Sequence, residues 1–144
     1  MQFRSAFPLP DIDWPPTREF WAAAARGVLA IPRCDTCVRY VWYPDGTCRF
    51  CGAHSATWTP VSGRGRLFSW SVVRRAFIPQ VADDVPYVAG LVTIDEDPAV
   101  RIVTRVVDCT PEALRIDMLV RVVFRPLHFA GVSGEVVAPL FVPA

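Results

Sequence analysis

Four cysteines are the residues of this chain whose type and spacing most plainly imply chemistry. Cys34-Asp-Thr-Cys37 and Cys48-Arg-Phe-Cys51 are two Cys-x-x-Cys hooks separated by ten residues. Each hook lets a pair of thiolates approach one ion from a tight turn, and two hooks complete a tetrahedron. That arrangement is a closed structural zinc site, with sulfurs at roughly 2.3 Å from the metal and no open position for water or substrate. The spacing predicts a zinc ribbon holding one structural Zn2+, with iron as the alternative ion for the same four sulfurs. Paired disulfides would suit an exported chain, and the N-terminal residues lack the apolar stretch of a signal peptide, so the expected compartment is the cytoplasm. Tyr40, Trp42 and the Pro44-Asp45-Gly46 turn fit two short strands inside the spacer. Gly52 follows the second hook, where a glycine helps backbone N–H groups reach the sulfurs, while Val38 holds the matching position after the first.

Catalytic constellations are hard to assemble from the remainder. The chain has two histidines. His54 is a substitute ligand at best beside four cysteines, and His128 lies in an apolar loop. Cys109 has neither a partner cysteine nor a nearby histidine, so it reads as an idle thiol. No serine sits in a Gly-x-Ser-x-Gly elbow, and Gly63-Arg64-Gly65 lacks the third glycine of a dinucleotide fingerprint. Asp95-Glu96-Asp97 reads as a solvated turn. No catalytic residue is assigned, and the chain is expected to be a binding module with no activity of its own.

Composition bounds the partners. The 144 residues carry 15 basic and 14 acidic side chains, a net charge of +1, and every basic residue is arginine. That balance gives no support for a protein that coats polyanions. Hydrophobic residues make up 52% of the chain and mean hydropathy is +0.29, yet no apolar run approaches the ~20 residues of a membrane span. Surplus apolar surface of this kind points to a protein partner.

The elements that must position these residues follow in order. Residues 1–16, with Trp14-Pro15-Pro16, are expected to be extended. Thr17 caps a short helix that Gly27 ends, and Phe20 and Trp21 on it must bury against something, either the ribbon or the next domain, or else a partner protein or an apolar ligand tail. From Arg66 to Arg74 the alternation places Phe68, Trp70 and Val72 on one face of a strand. A loop from Ala76 to Pro86 follows, then strands over Tyr87–Ile94 and Ala99–Val107. In the latter, Val100, Ile102 and Val106 point inward and Arg101 and Arg105 outward. Thr110-Pro111-Glu112 opens a helical turn, and strands at Leu119–Phe124 and Val136–Val142 complete the chain, with Pro139 confined to an edge or bulge. Five strands with a helical turn between the third and fourth is the order of an OB-type barrel. The fold class is therefore mainly β. The expected division is an N-terminal segment and helix over 1–30, a zinc ribbon over 31–60 and an OB-fold over 61–144.

The order of motifs carries a resemblance. A helix with Phe20-Trp21, the ribbon, Val61-Ser62-Gly63-Arg64-Gly65, Ser69-Trp70-Ser71-Val72-Val73, Val85-Pro86-Tyr87-Val88 and Leu114-Arg-Ile-Asp-Met118 follow one another. Together they closely resemble the DUF35 family, over roughly residues 17 to 143. One departure is Asp117, where the family usually has glycine and where a turn tolerates Asp; Val38 is another. The resemblance implies a rubredoxin-like zinc ribbon, an acyl-CoA-associated OB-fold, and a role as companion to thiolase-like enzymes in lipid metabolism, such as sterol side-chain aldolases of the lipid-transfer-protein type. It implies docking on such a subunit, as a two-plus-two assembly, with catalysis left to the partner and a CoA thioester as shared ligand. Arg64, Arg66, Arg74 and Arg75 are the candidate phosphate contacts. Phe20, Trp21, Phe77 and Ile78 are the candidate partner-facing residues. The competing function is a single-stranded nucleic-acid binder in which Phe68, Trp70 and Tyr87 stack bases. A stand-alone thioesterase would need a nucleophile and base that the sequence does not offer.

Overall fold

The computed structural model describes residues 9–131 and 133–144. The first eight residues of the expected extended segment lie outside these. The described part of that segment is folded into turns instead. Thr17 N–H donates to the Trp14 carbonyl at 3.0 Å, closing a turn in which Pro15 presets the backbone. These turns feed α1 (Arg18–Ala25). Thr17 occupies the N-cap position, but its side chain makes no capping bond. The other end is the expected one. Gly27 adopts φ +73°; its N–H bonds Ala24, and the Val28 N–H bonds Ala23 at 3.0 Å. This pair of bonds satisfies carbonyls that the helix itself leaves open.

A two-stranded antiparallel sheet pairs β1 (Ala30–Cys34) with β2 (Ala56–Pro60). The spacer between the hooks differs from expectation. It makes a single bridge, Tyr40 to Arg33, rather than a hairpin of its own. The Trp42 ring turns inward to lie 5.1 Å from the Phe20 ring, and Thr47 N–H bonds the Asp45 carboxylate in a tight turn, so neither side of the spacer is free to extend. Each hook instead follows or precedes a strand of the flanking sheet.

The remainder is a closed barrel in the order β3-β4-β5-β7-β6, made of β3 (Arg64–Val73), β4 (Tyr87–Ile94), β5 (Asp97–Val106), β6 (Leu119–Leu127) and β7 (Val136–Pro143). This is the five-stranded OB-fold. A 3-10 turn at Pro111–Ala113 lies between the third and fourth barrel strands, and Thr110 precedes it without a side-chain cap. β5 and β7 run parallel and pair at Val106 and Phe141; at Pro139 the Thr104 hydroxyl of β5 donates to the carbonyl at 3.0 Å in place of a backbone ladder, so the position tolerates a residue without an N–H.

Alternation in β5 is as expected: Val100, Ile102 and Val106 are buried and Arg101 exposed. In β3 it is interrupted. The pairing with β4 slips between Leu67 and Ser69, a β-bulge that swings Phe68 outward while Leu67 and Trp70 stay on the core side. Phe68 and Trp70 therefore do not share a face. Gly65 is required nearby, since a Cβ there would lie 1.9 Å from the Thr93 carbonyl oxygen.

One core runs through the molecule. Phe20 of α1 and Leu29 and Ile31 of the ribbon join Leu67, Val92, Ile102, Val120 and Phe141 of the barrel in one cluster. A second, small cluster of Cys34, Val41 and Cys48 surrounds the hooks. Among the described residues no helix is long and apolar enough to cross a membrane.

Candidate functional site

The two hooks are built alike. The Cys34 carbonyl accepts from Val38 N–H at 3.0 Å and the Cys48 carbonyl from Gly52 N–H at 2.7 Å. Cys34 N–H in turn donates to Arg39 and Cys48 N–H to Ala53, at 2.9 and 2.8 Å. Val38 takes up φ +60°, the left-handed backbone that glycine adopts at Gly52. The first hook thus has the shape of the second, with strain in place of glycine.

These turns bring the four sulfurs within 4.8 Å of one another, with Cys34–Cys51 and Cys37–Cys48 each 3.6 Å apart. A tetrahedron with metal–sulfur bonds of roughly 2.3 Å has edges of about 3.8 Å, so the donor set fits a thiophilic ion with little movement. All are free thiols. The Cys37 backbone N–H pulls the Cys34 thiol down to about 6. At Cys51 the Ala53 N–H acts downward, but burial and the neighbouring sulfurs outweigh it and push the thiol up to about 11. His54 is outside the cluster, its Nδ1 lying 3.3 Å from the Thr47 hydroxyl. The first hook is tied to β2 through Asp35, which accepts from the Ser55 hydroxyl and from the Thr57 hydroxyl at 2.7 Å.

A second feature lies on the barrel. The β3–β4 loop and the β6–β7 loop meet where Ala130 N–H reaches the Gln80 carbonyl at 3.3 Å. Below that junction an apolar cavity of about 550 Å³ opens between α1, the β3–β4 loop and the outer side of the barrel. Trp21, Phe77, Ile78, Tyr87 and Val103 line it. The second and third strands and these two loops are where OB barrels commonly take ligands. Phe77 is 86% exposed and Val103 78%, large apolar surfaces left to water by this chain alone. Val103 went unremarked in the sequence, although a Val between Arg101 and Arg105 on the polar side of a strand was the available signal.

The candidate arginines separate into two groups. Arg64 and Arg66 lie at the start of β3, Arg64 4.0 Å from Asp95 and Arg66 bonded to the Asp117 carbonyl. Arg74 and Arg75 follow its far end. Ten residues of strand span roughly 33 Å, so one phosphate patch does not contain all four. Arg75 lines the apolar cavity and makes no hydrogen bond or ion pair among the described residues, and Arg74 borders a neighbouring groove with Asp84 and Asp108. Arg105 is neutralised by Asp84 at 3.2 Å and lies 4.2 Å over the Tyr87 ring, while Arg125 bonds Asp108 at 2.9 Å. The supposed base-stacking aromatics are equally scattered. Trp70 packs on the core, Phe68 lies under Arg101 and Tyr87 under Arg105. Of the expected partner-facing residues, Phe20 is only 6% exposed and belongs to the core, and all four, Phe20, Trp21, Phe77 and Ile78, line the cavity.

Residues 21–56 match the family description "ChsH2, rubredoxin-like zinc ribbon domain", and residues 58–125 match "ChsH2, C-terminal OB-fold domain". The chain belongs to the DUF35 family. It is 33% identical over 75 residues to a DUF35 domain-containing scaffold protein of Methanothermobacter thermautotrophicus, covering 52% of this chain and 54% of that one. It is 31% identical over 126 residues to a probable enoyl-CoA hydratase alpha subunit of Thermomonospora curvata, covering 87% of this chain and 37% of the relative. The chain thus spans between 37% and 54% of the length of these two curated relatives. Among solved structures, a chain of the Ltp2-ChsH2(DUF35) aldolase superposes with a TM-score of 0.77 at 25% identity, over 93% of this chain and 98% of that one. Asp117, the expected departure from the family pattern, holds φ +62° and donates its N–H to the Leu67 carbonyl, a left-handed turn of the kind glycine adopts.

Proposed function

We propose that this DUF35 protein is a non-catalytic accessory subunit that docks on a thiolase-like enzyme of the aldolase or acyltransferase kind, with zinc in its ribbon. The observation that supports this reading is the superposition, over nearly the whole length of both chains, on a chain of the Ltp2-ChsH2(DUF35) aldolase. The side chains agree with it. Cys109 has its thiol pushed up by burial, His128 pairs with Glu135 at 3.3 Å, and His54 bonds Thr47, so these groups are engaged apart from one another rather than assembled as nucleophile and base. The exposed apolar surface at Phe77 and Val103 supplies what a docking subunit needs.

Zinc is the ion of choice because four thiolates in a closed tetrahedron suit a cation that needs neither redox chemistry nor an open position. Its contribution is folding energy: it fixes a ribbon whose own apolar cluster is small. A two-plus-two assembly follows if the partner is a symmetric dimer. The test is affinity purification of the tagged protein from its own host, followed by mass spectrometry. A stoichiometric thiolase-like protein is the expected result. Elution alone, or only with nucleic acid that high salt removes, overturns the reading.

A further inference from the structure

We infer that the outer face of the barrel, where β6 meets β3, is a docking surface for an anionic lipid bilayer. Strand register assembles it. Arg64 of β3 stands opposite Arg121 of β6, and Arg66 opposite Leu119. On its other side Arg66 pairs with Thr93 of β4, and Thr93 with Arg101 of β5. Cross-strand partners present their side chains on one face, so Arg64, Arg66, Arg101 and Arg121 gather within three strand spacings, about 15 Å. All four are exposed. Like charges directly opposite on adjacent strands repel, and the fold offers this group little relief. Arg64 has only Asp95, at 4.0 Å, while Arg66 bonds the Asp117 carbonyl and Arg101 lies 4.1 Å over the Phe68 ring. Among the described residues Arg66, Arg101 and Arg121 make no ion pair. Asp108, which feels Arg121 from farther off, is bonded to Arg125. The net charge of +1 averages over this local excess.

Apolar neighbours decide which polyanion fits. Leu119, in the same row as Arg66, is 53% exposed, and Ile116, in the turn that Arg66 fastens, is 62% exposed. Aliphatic side chains cannot stack on bases and gain nothing from a phosphodiester backbone, and Arg101 already covers one side of Phe68. A bilayer surface rewards both kinds of residue. Guanidiniums meet the headgroup phosphates while the aliphatic groups reach the acyl boundary. The inference goes beyond the accessory-subunit reading and does not rest on it, since the loop carrying Phe77 leaves the opposite end of β3.

The experiment is co-sedimentation of the purified full chain with vesicles of phosphatidylcholine alone, or of phosphatidylcholine with about a third phosphatidylglycerol. The chain should bind the anionic vesicles and not the neutral ones, more weakly as salt is raised. Arg64→Gln combined with Arg121→Gln should weaken binding about thirtyfold, roughly fivefold for each charge lost beside an anionic surface. Arg74→Gln combined with Arg75→Gln removes the same charge at the other end of β3 and should leave binding unchanged. Leu119→Ser, with charge unaltered, should weaken binding about fivefold. All these side chains are exposed, and melting temperatures equal to the parent's show that the variants fold. The inference is overturned if the anionic vesicles do not bind, or if neutral vesicles bind equally. It is also overturned if the Arg74 and Arg75 pair matters as much as Arg64 and Arg121. Leu119→Ser binding like the parent would overturn it too, making the face a plain polyanion site. Each of these results leaves the accessory reading standing, since co-purification tests that separately.

Discussion

Arg39 of the ribbon and Asp97 of the barrel form a two-point bond: Nε to Oδ2 at 3.1 Å and Nη2 to Oδ1 at 3.4 Å. They are 58 residues apart in sequence, and the contact fastens the loop after the first hook to the start of β5. The neighbouring acids are engaged within the barrel. Glu96 accepts from Ser62 N–H at 2.5 Å and Asp95 faces Arg64 at 4.0 Å. Through Asp97, the acidic triplet that reads as a solvated turn braces the barrel against the ribbon.

Acid should loosen that brace. Burial pushes Asp97 up, but the Arg39 guanidinium and the Ala99 N–H more than offset it and hold the carboxyl below its ordinary value. A carboxylate depressed in the folded state stabilises fully above its unfolded value and loses that contribution as pH falls through the folded one. Asp97→Asn should therefore lower the melting temperature at neutral pH by roughly 2–4 °C, a modest figure because Arg39 is half exposed and solvent screens it. The gap between variant and parent should narrow below about pH 5. Thermal melts across pH check this; a gap that stays constant to pH 2 would contradict it.

Removing the metal should be felt beyond the ribbon. Leu29, just before β1, and Ile31 on it lie in the same buried cluster as Leu67 and Phe141 of the barrel, and β1 ends on the ligand Cys34. Cys48→Ser, or chelation of the parent, should cost the bound zinc and lower the temperature of a single shared unfolding transition. Metal analysis giving one zinc per parent chain, followed by calorimetry, checks both points. Two separated transitions after chelation would mean that the shared core does not couple the parts.

Val38 offers a change in the opposite direction. A β-branched residue at φ +60° is strained, and its side chain is 57% exposed, so little packing would be lost with it. Val38→Gly should stabilise the metal-loaded protein by about 1 kcal/mol, the relief of left-handed strain less the added freedom of the unfolded chain. A chemical denaturation curve with unchanged slope and a higher midpoint is the expected record.

Much of this was legible in the sequence because it depends on local rules. Cysteine spacing fixes the hooks, alternation fixes Val100, Ile102 and Val106, and Gly27 fixes the end of α1. What escaped is set by contacts distant in the chain. The bulge that turns Phe68 away from Trp70 arises from register against β4, and the burial of Phe20 arises from Trp42 and the ribbon. No local pattern marks the Arg39–Asp97 brace. The four candidate arginines stand at the two ends of a ten-residue strand, a separation that their nearness in sequence does not show.

Phe77 is the residue on which the partner surface can be tested with least disturbance. It lies in the loop between β3 and β4, is 86% exposed, and stands apart from the core residues that hold the barrel together. An aromatic ring left this open on one chain gains most when a second surface covers it. Phe77→Ser should leave the melting temperature within about 1 °C of the parent, as surface changes away from buried features usually do. It should weaken the complex with the co-purified enzyme at least tenfold, the loss of about 1.4 kcal/mol or more that covering a large apolar side chain readily supplies. Deleting the loop from Ala76 to Pro86 should abolish that affinity while circular dichroism still reports the barrel strands. Unchanged affinity in both variants would place the docking surface elsewhere on the chain, with the ribbon's exposed Tyr43 and Phe50 the next surfaces to alter.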